Sequence, residues 1–406
     1  MAQETGHRLA LAPIALMLSA FVLITLGVAF LYPFPSPYDE LQHYSVIRAQ
    51  FEAPTIFPDY SEYKVLRADD LDRWSPDGNY INHPSLYYIA LANIFRFSAD
   101  VIVFRLANVA LIAGALALVV LAGARLFRTP AERLLFALIA LCFPKYALIG
   151  GMINNDNLAM LAGALVFAGL VRYPAAAWCC ALGLALAGWS KLTALIALAA
   201  VVGIDRLAGV RRAGEAIGSR CHAALAGAAL VGALPYLVNL VRTGDLVAVN
   251  AAVYGVPVDQ RPILGFWRFI EAFFAALVVK WPVNEGGLPL VVAGVTLMVP
   301  LVLAAIGAAR CPRIRRLAAA YGGSVAIMLA VHVGFGWEAF RGIGDLTIAQ
   351  TRYYNVLWPG IAVATTAGVL SVTRRRRWLQ WPLIGLFLLP TVPGALAVSL
   401  VQGAGG

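Results

Sequence analysis

Apolar residues fall along this chain in long blocks, with charged and amide side chains gathered in the breaks between them. The blocks lie at 9–31, 101–124, 133–149, 157–171, 175–189, 191–205, 222–240, 287–309, 317–335, 353–372 and 379–400. A helix needs about 20 apolar residues to cross the hydrocarbon core, so the pattern predicts about 11 transmembrane helices. The first block, Leu9 to Leu31, is longer than the roughly 7–15-residue core of a signal peptide. It ends in Tyr32-Pro33-Phe34-Pro35-Ser36-Pro37 rather than in a small-residue cleavage site, and so reads as a retained first span. The stretch 263–281 is apolar but interrupted by Arg268, Glu271 and Lys280, a pattern that predicts an interfacial or re-entrant helix. The expected architecture is an all-α polytopic membrane protein, one transmembrane unit over 1–406 with no soluble C-terminal domain.

Composition agrees. The 406 residues are 61% hydrophobic and 13% charged, with mean hydropathy +0.78. Soluble domains carry about 25% charged residues, so a large aqueous catalytic domain is excluded. Net charge is +10, but the basic residues sit at block ends rather than on one face, which disfavours a nucleic-acid partner. Alternate connections hold Arg8, Arg125, Arg128, Arg133, Arg172, Arg206, Arg211, Arg212, Arg220, Arg310, Arg313, Arg315, Arg316 and Arg374 to Arg377. These are 17 of the 31 basic residues, against four acidic ones. Basic loops stay in the cytoplasm, so the N-terminus is expected there and the other connections outside. The outer side then carries one long loop, 32–100, and two medium ones, 241–286 and 336–352. The five cysteines lie in or beside apolar blocks without metal-type spacing, and no phosphate-binding glycine motif is present.

Candidate chemistry concentrates on the outer side. The first loop opens Asp39-Glu40-Leu41-Gln42-His43, two carboxylates and an imidazole just past a span. If 39–50 is helical, Asp39 and His43 share a face; the alternative is two acids placed to suit a helix N-terminus. The loop closes through Asn82-His83-Pro84-Ser85-Leu86-Tyr87-Tyr88. Tyr87 and Tyr88 fit an interfacial aromatic belt, while His83 could orient Asp39 or bind a substrate hydroxyl. Asn154-Asn155-Asp156-Asn157 forms a tight polar turn in which Asn155 or Asp156 could cap a helix or face a substrate. Lys191 joins two apolar blocks with almost no loop, where an ammonium needs an anionic partner or must snorkel. Arg352, beside Tyr353 and Tyr354, offers planar donors that match phosphate oxygens. Arg261, with its neighbours Arg268 and Lys280, suits either a substrate phosphate or anionic membrane lipid.

These motifs, with Gly188-Trp189-Ser190-Lys191 and Gln350-Thr351-Arg352-Tyr353, resemble the GT-C superfamily of membrane glycosyltransferases, closest to its uncharacterised bacterial members. The resemblance covers most of the chain by topology. It implies a multi-pass protein of the bacterial inner membrane that transfers a hexosyl or pentosyl group from a polyprenyl-phosphate donor. The acceptor would be a lipid-linked or cell-envelope glycan, as in polysaccharide biosynthesis, and the active site periplasmic. The first-loop carboxylate then becomes the catalytic base, Asp39 or, second, Glu40. Substrate contacts would come from His43, His83, Tyr87, Asn155, Asp156, Lys191, Arg261, Arg352 and Tyr353. A divalent cation (Mg or Mn) held by Asp39, Glu40 and His43 and a metal-free mechanism are both compatible with this donor set. The competing class is a transporter or flippase of a lipid-linked anionic glycan, using polar residues within spans such as Arg105, Asn108, Asn239 and His332.

Overall fold

A computed structural model describes residues 2–143, 145–173, 175–213, 219–247, 265–280, 290–343, 349–374, 377–383 and 385. Its apolar blocks are helices: α1 (Ala2–Leu31), α4 (Val101–Gly123), α7 (Asp156–Val171), α8 (Ala177–Ser190), α9 (Leu192–Ala213), α10 (Ser219–Thr243), α12 (Leu290–Arg310), α13 (Arg315–Ile343) and α14 (Trp358–Thr373). Among the described residues, five segments are long and apolar enough to cross a membrane: Ala12–Leu31, Val101–Leu126, Cys221–Thr243, Arg315–Arg341 and Thr351–Thr373. The chain is an all-α polytopic membrane protein. The last expected block, 379–400, lies almost wholly outside the described residues.

The block at 133–149 is not one helix. It divides into α5 (Pro130–Leu141) and α6 (Tyr146–Gly150), with Lys145 between them fully buried. The sequence has proline at 144, which cannot donate an amide hydrogen and disfavours helix in the residue before it. The start of α5 is encoded locally: Thr129 and Glu132 form a reciprocal capping box around Pro130.

The bundle packs α4 on α7, α7 on α8, α8 on α10, α9 on α13 and α12 on α14. Small residues permit the closest approaches. A Cβ added at Gly368 would overlap the Leu303 carbonyl, and one at Gly307 the Ala364 carbonyl, so α12 and α14 meet backbone to backbone.

The long first loop is more elaborate than a set of surface helices. Helix α2 (Glu40–Glu52) is followed by an antiparallel hairpin, β1 (Lys64–Arg67) and β2 (Asp70–Gly78), and then by α3 (Leu86–Ala92). The Leu66 amide donates to Ser45 Oγ at 2.9 Å, fastening the hairpin to α2. Tyr44, Tyr60, Tyr63, Tyr87, Tyr88 and Phe104 build a second core beneath it. The aromatic-belt expectation for Tyr87 and Tyr88 is therefore corrected: both rings are 2% exposed or less and face protein, because the loop supplies an apolar interior of its own. The segment expected at the interface contains α11 (Phe266–Val279), whose buried face is Phe269, Phe273 and Leu277.

Candidate functional site

Asp39 precedes α2 in a left-handed backbone conformation, φ 62° and ψ 21°. Aspartate tolerates this region better than most residues, and strain of this kind gathers at functional sites. Here it turns two adjacent carboxylates apart.

Glu40 points inward and is fully buried. It accepts from Arg105 Nε at 2.8 Å and Nη2 at 2.7 Å, from the Ser36 amide at 3.0 Å and from the Ile153 amide at 3.1 Å. Arg105 also donates to the carbonyls of Ala29 and Tyr32 at 3.0 and 2.7 Å. Glu40 thus ties α1, α2 and α4 to the turn before α7. With its lone pairs committed it cannot serve as a base or reach a cation. Asp39, Glu40 and His43 therefore do not form one ligand set, and among the described residues no three histidine, cysteine or acidic side chains converge in metal-binding fashion.

Asp39 faces the other way. Its carboxylate accepts from the Tyr80 hydroxyl and from Arg352 Nη2, and its side chain remains 21% exposed. Arg352 is 11% exposed, and its Nε lies 3.7 Å from Asp156 Oδ2. Lys191 Nζ bonds Asp156 Oδ1 and stands 5.1 Å from the centre of the Tyr353 ring. Two carboxylates and two cations so alternate as Asp39, Arg352, Asp156, Lys191. The expected anionic partner of Lys191 exists, and it is Asp156.

Burial alone would raise the Asp39 carboxyl. The Arg352 guanidinium, helped by His43 and the Tyr80 hydroxyl, outweighs it and holds the group at about 2. His43 is 1% exposed, bonds the Tyr88 hydroxyl through Nδ1 at 2.9 Å, and stacks on His83 at 6.1 Å. Burial, then repulsion from Arg352 and Lys191, pushes its imidazole down to about 3 despite the attraction of Asp39. It is neutral at physiological pH.

The polar turn is also built inward. Asn154 accepts from the Asp156 amide at 2.9 Å and donates to the Tyr38 carbonyl at 3.0 Å. Asn155 donates to the Ser190 carbonyl at 2.9 Å, holding α7 against the end of α8 where Lys191 follows. Asn155 Oδ1 and Asp156 Oδ2 are buried without a hydrogen-bond donor among the described residues. Asp39 also lines a cleft of about 500 Å³, with Tyr32, Ser36, Gln42 and Tyr80 among its other walls.

The sequence candidates thus separate. Asp39, Asp156, Lys191, Arg352 and Tyr353 assemble in one place, with His43, His83 and Asn155 alongside. Glu40 and Tyr87 do not join them: the Tyr87 hydroxyl donates to Asn108 at 2.8 Å in the interior. Arg261 lies outside the described residues. Arg105 and Asn108 are fixed in these buried networks, and His332 bonds Tyr354 at 3.1 Å. Two residues were missed. Tyr80 carried no signal beyond its place in a polar loop. Lys145, 5.9 Å from the centre of the Tyr38 ring, announced itself as a lysine inside an apolar block.

No protein-family model and no curated protein sequence matches the chain. Its fold is nevertheless found in a solved structure, the crystal structure of ArnT from Cupriavidus metallidurans bound to undecaprenyl phosphate. The TM-score is 0.55 at 14% identity, over 90% of this chain and 62% of that one. The chain spans less than two thirds of that protein's length, and at this identity the likeness establishes the fold: this protein is built on an ArnT-like helical membrane scaffold.

Proposed function

We propose that the chain is a GT-C-type glycosyltransferase that uses a polyprenyl-phosphate-linked sugar donor at the periplasmic face. The acceptor would be a lipid-linked or cell-envelope glycan, and transfer would invert the anomeric centre. The observation that carries this reading is the Asp39 carboxylate, partly exposed between an open cleft and a buried pair of cations. The ArnT-like scaffold supports it, since the structure matched holds undecaprenyl phosphate.

An acceptor hydroxyl entering the cleft gives its proton to Asp39 as its oxygen bonds the anomeric carbon. The bond from that carbon to the phosphate oxygen breaks, and the polyprenyl phosphate leaves with the electron pair. Arg352 and Lys191 stabilise the departing charge. Arg352 is held by Asp39 before substrate arrives, so a phosphate competes for the guanidinium and loosens its grip on the base. Asp156 anchors both cations without being consumed. Asn155, His43 and His83 position the surrounding groups, and the chemistry needs no metal ligand from Glu40.

The test is Asp39→Asn, since asparagine keeps the shape and tolerates the left-handed backbone. Purified protein would be assayed with a radiolabelled polyprenyl-phosphate sugar in detergent. Transfer should fall by about 10²–10⁴-fold, the usual share of a general base. A correctly folded variant with full activity removes the assignment. The detergent assay also separates an enzyme from a carrier, because only the enzyme makes product with no membrane barrier present.

A further inference from the structure

A second buried charge cluster lies at the ends of α7, α9 and α13 remote from Asp39. Leu192, the residue after Lys191, and Arg206 are fourteen residues apart on α9, about 21 Å along its axis. Arg316, near the start of α13, grips the Asp205 carboxylate with Nε at 2.8 Å and Nη2 at 2.7 Å. Arg206 Nη2 bonds the same carboxylate. Two guanidiniums therefore share one acid, and the cluster carries a net positive charge. The side chains of Asp205 and Arg206 are only 6% and 8% exposed.

Arg206 is also incompletely bonded. Its guanidinium lies 3.7 Å from the centre of the Tyr173 ring, which fixes its plane. Its Nε and Nη1, both buried, have no hydrogen-bond partner among the described residues. Buried donors left unbonded, on a cation without a full counter-charge, are costly. Arg316 is 37% exposed, so the cluster is open to its surroundings on that side. Leu207, next to Arg206 on α9, is 68% exposed, an apolar neighbour suited to lipid.

We propose that Arg206, Arg316 and Tyr173 form a binding site for a phosphate group, supplied by an anionic phospholipid headgroup or by phosphate in solution. Phosphate supplies the missing negative charge and the acceptor oxygens, and arginine donors match it in geometry. The proposal is independent of the sugar-transfer reading, because none of its residues approaches Asp39.

Native mass spectrometry of the full-length protein in detergent tests it, with phosphatidylglycerol compared with diacylglycerol of the same acyl chains. The wild type should retain phosphatidylglycerol at least ten-fold better than diacylglycerol. Arg206→Gln should abolish that preference, while Asp205 stays paired with Arg316 and sugar transfer is unchanged. Arg316→Gln, at the more exposed position, makes the same test if Arg206→Gln does not fold. Inorganic phosphate that displaces the lipid identifies a general phosphate site, and failure to displace it identifies a headgroup site; both outcomes support the inference. Equal retention of the two lipids by the wild type, or undiminished preference in both variants, overturns it.

Discussion

Asp39 and Glu40 are neighbours in sequence and opposites in role. Both read as candidate bases, because adjacency says nothing about which way each side chain turns. The left-handed backbone at Asp39 decides it, and no residue pattern encodes that conformation uniquely. Lys191 was legible for a firmer reason: an ammonium between apolar blocks needs a partner, and Asp156 provides one. The pairing of Asp39 with Arg352 makes a prediction about proton affinity. Burial raises the Asp39 carboxyl and Arg352 lowers it further, to about 2. Arg352→Gln removes the strongest lowering influence, so the carboxyl should titrate higher than in the wild type. In kcat/KM against pH, the wild type should show no acidic limb from Asp39 in the working range. The variant should gain one at higher pH, and a profile that only drops in height would detach Arg352 from the base.

At the level of elements, the Glu40–Arg105 pair holds α1, α2 and α4 together, and its worth lies in stability. Glu40→Gln leaves a guanidinium buried at 2% exposure without its counter-charge. Breaking such a pair costs about 3–5 kcal/mol. The variant should lose much of its thermal stability in detergent, measured by intrinsic fluorescence, where Asp39→Asn loses little. Helix existence was readable from hydrophobic blocks, since lipid-facing length and apolarity leave few alternatives. The break at 142–145 was missed because the apolar count ran straight across it, although Lys145 stood inside the block. The hairpin of the first loop was missed for another reason. Lys64–Arg67 is too short to show a period, and its anchor to α2 is Ser45, 21 positions before Leu66.

For the whole molecule, the first loop has its own aromatic core and meets the bundle through the Asp39–Arg352 contact. His43 sits at that junction and makes folding sensitive to acid. Its imidazole is held at about 3 against an ordinary value of about 6.5. Between those values the unfolded chain takes up a proton that the folded chain refuses. The stability it contributes is complete above about pH 6.5 and is lost as pH falls toward 3. His43→Gln should flatten the decline in melting temperature between pH 7 and 4.5, and an unchanged slope would place the acid sensitivity elsewhere.

The contact between Asp39 and Arg352 spans 313 positions of sequence. A ribosome makes the carboxylate long before the guanidinium, with most of the described helices in between. Until residue 352 is made, Asp39 has no arginine opposite it and Asp156 only a lysine. The Asp39–Arg352 pair thus forms only once position 352 has been made, and a polypeptide released before it carries an unanswered acid.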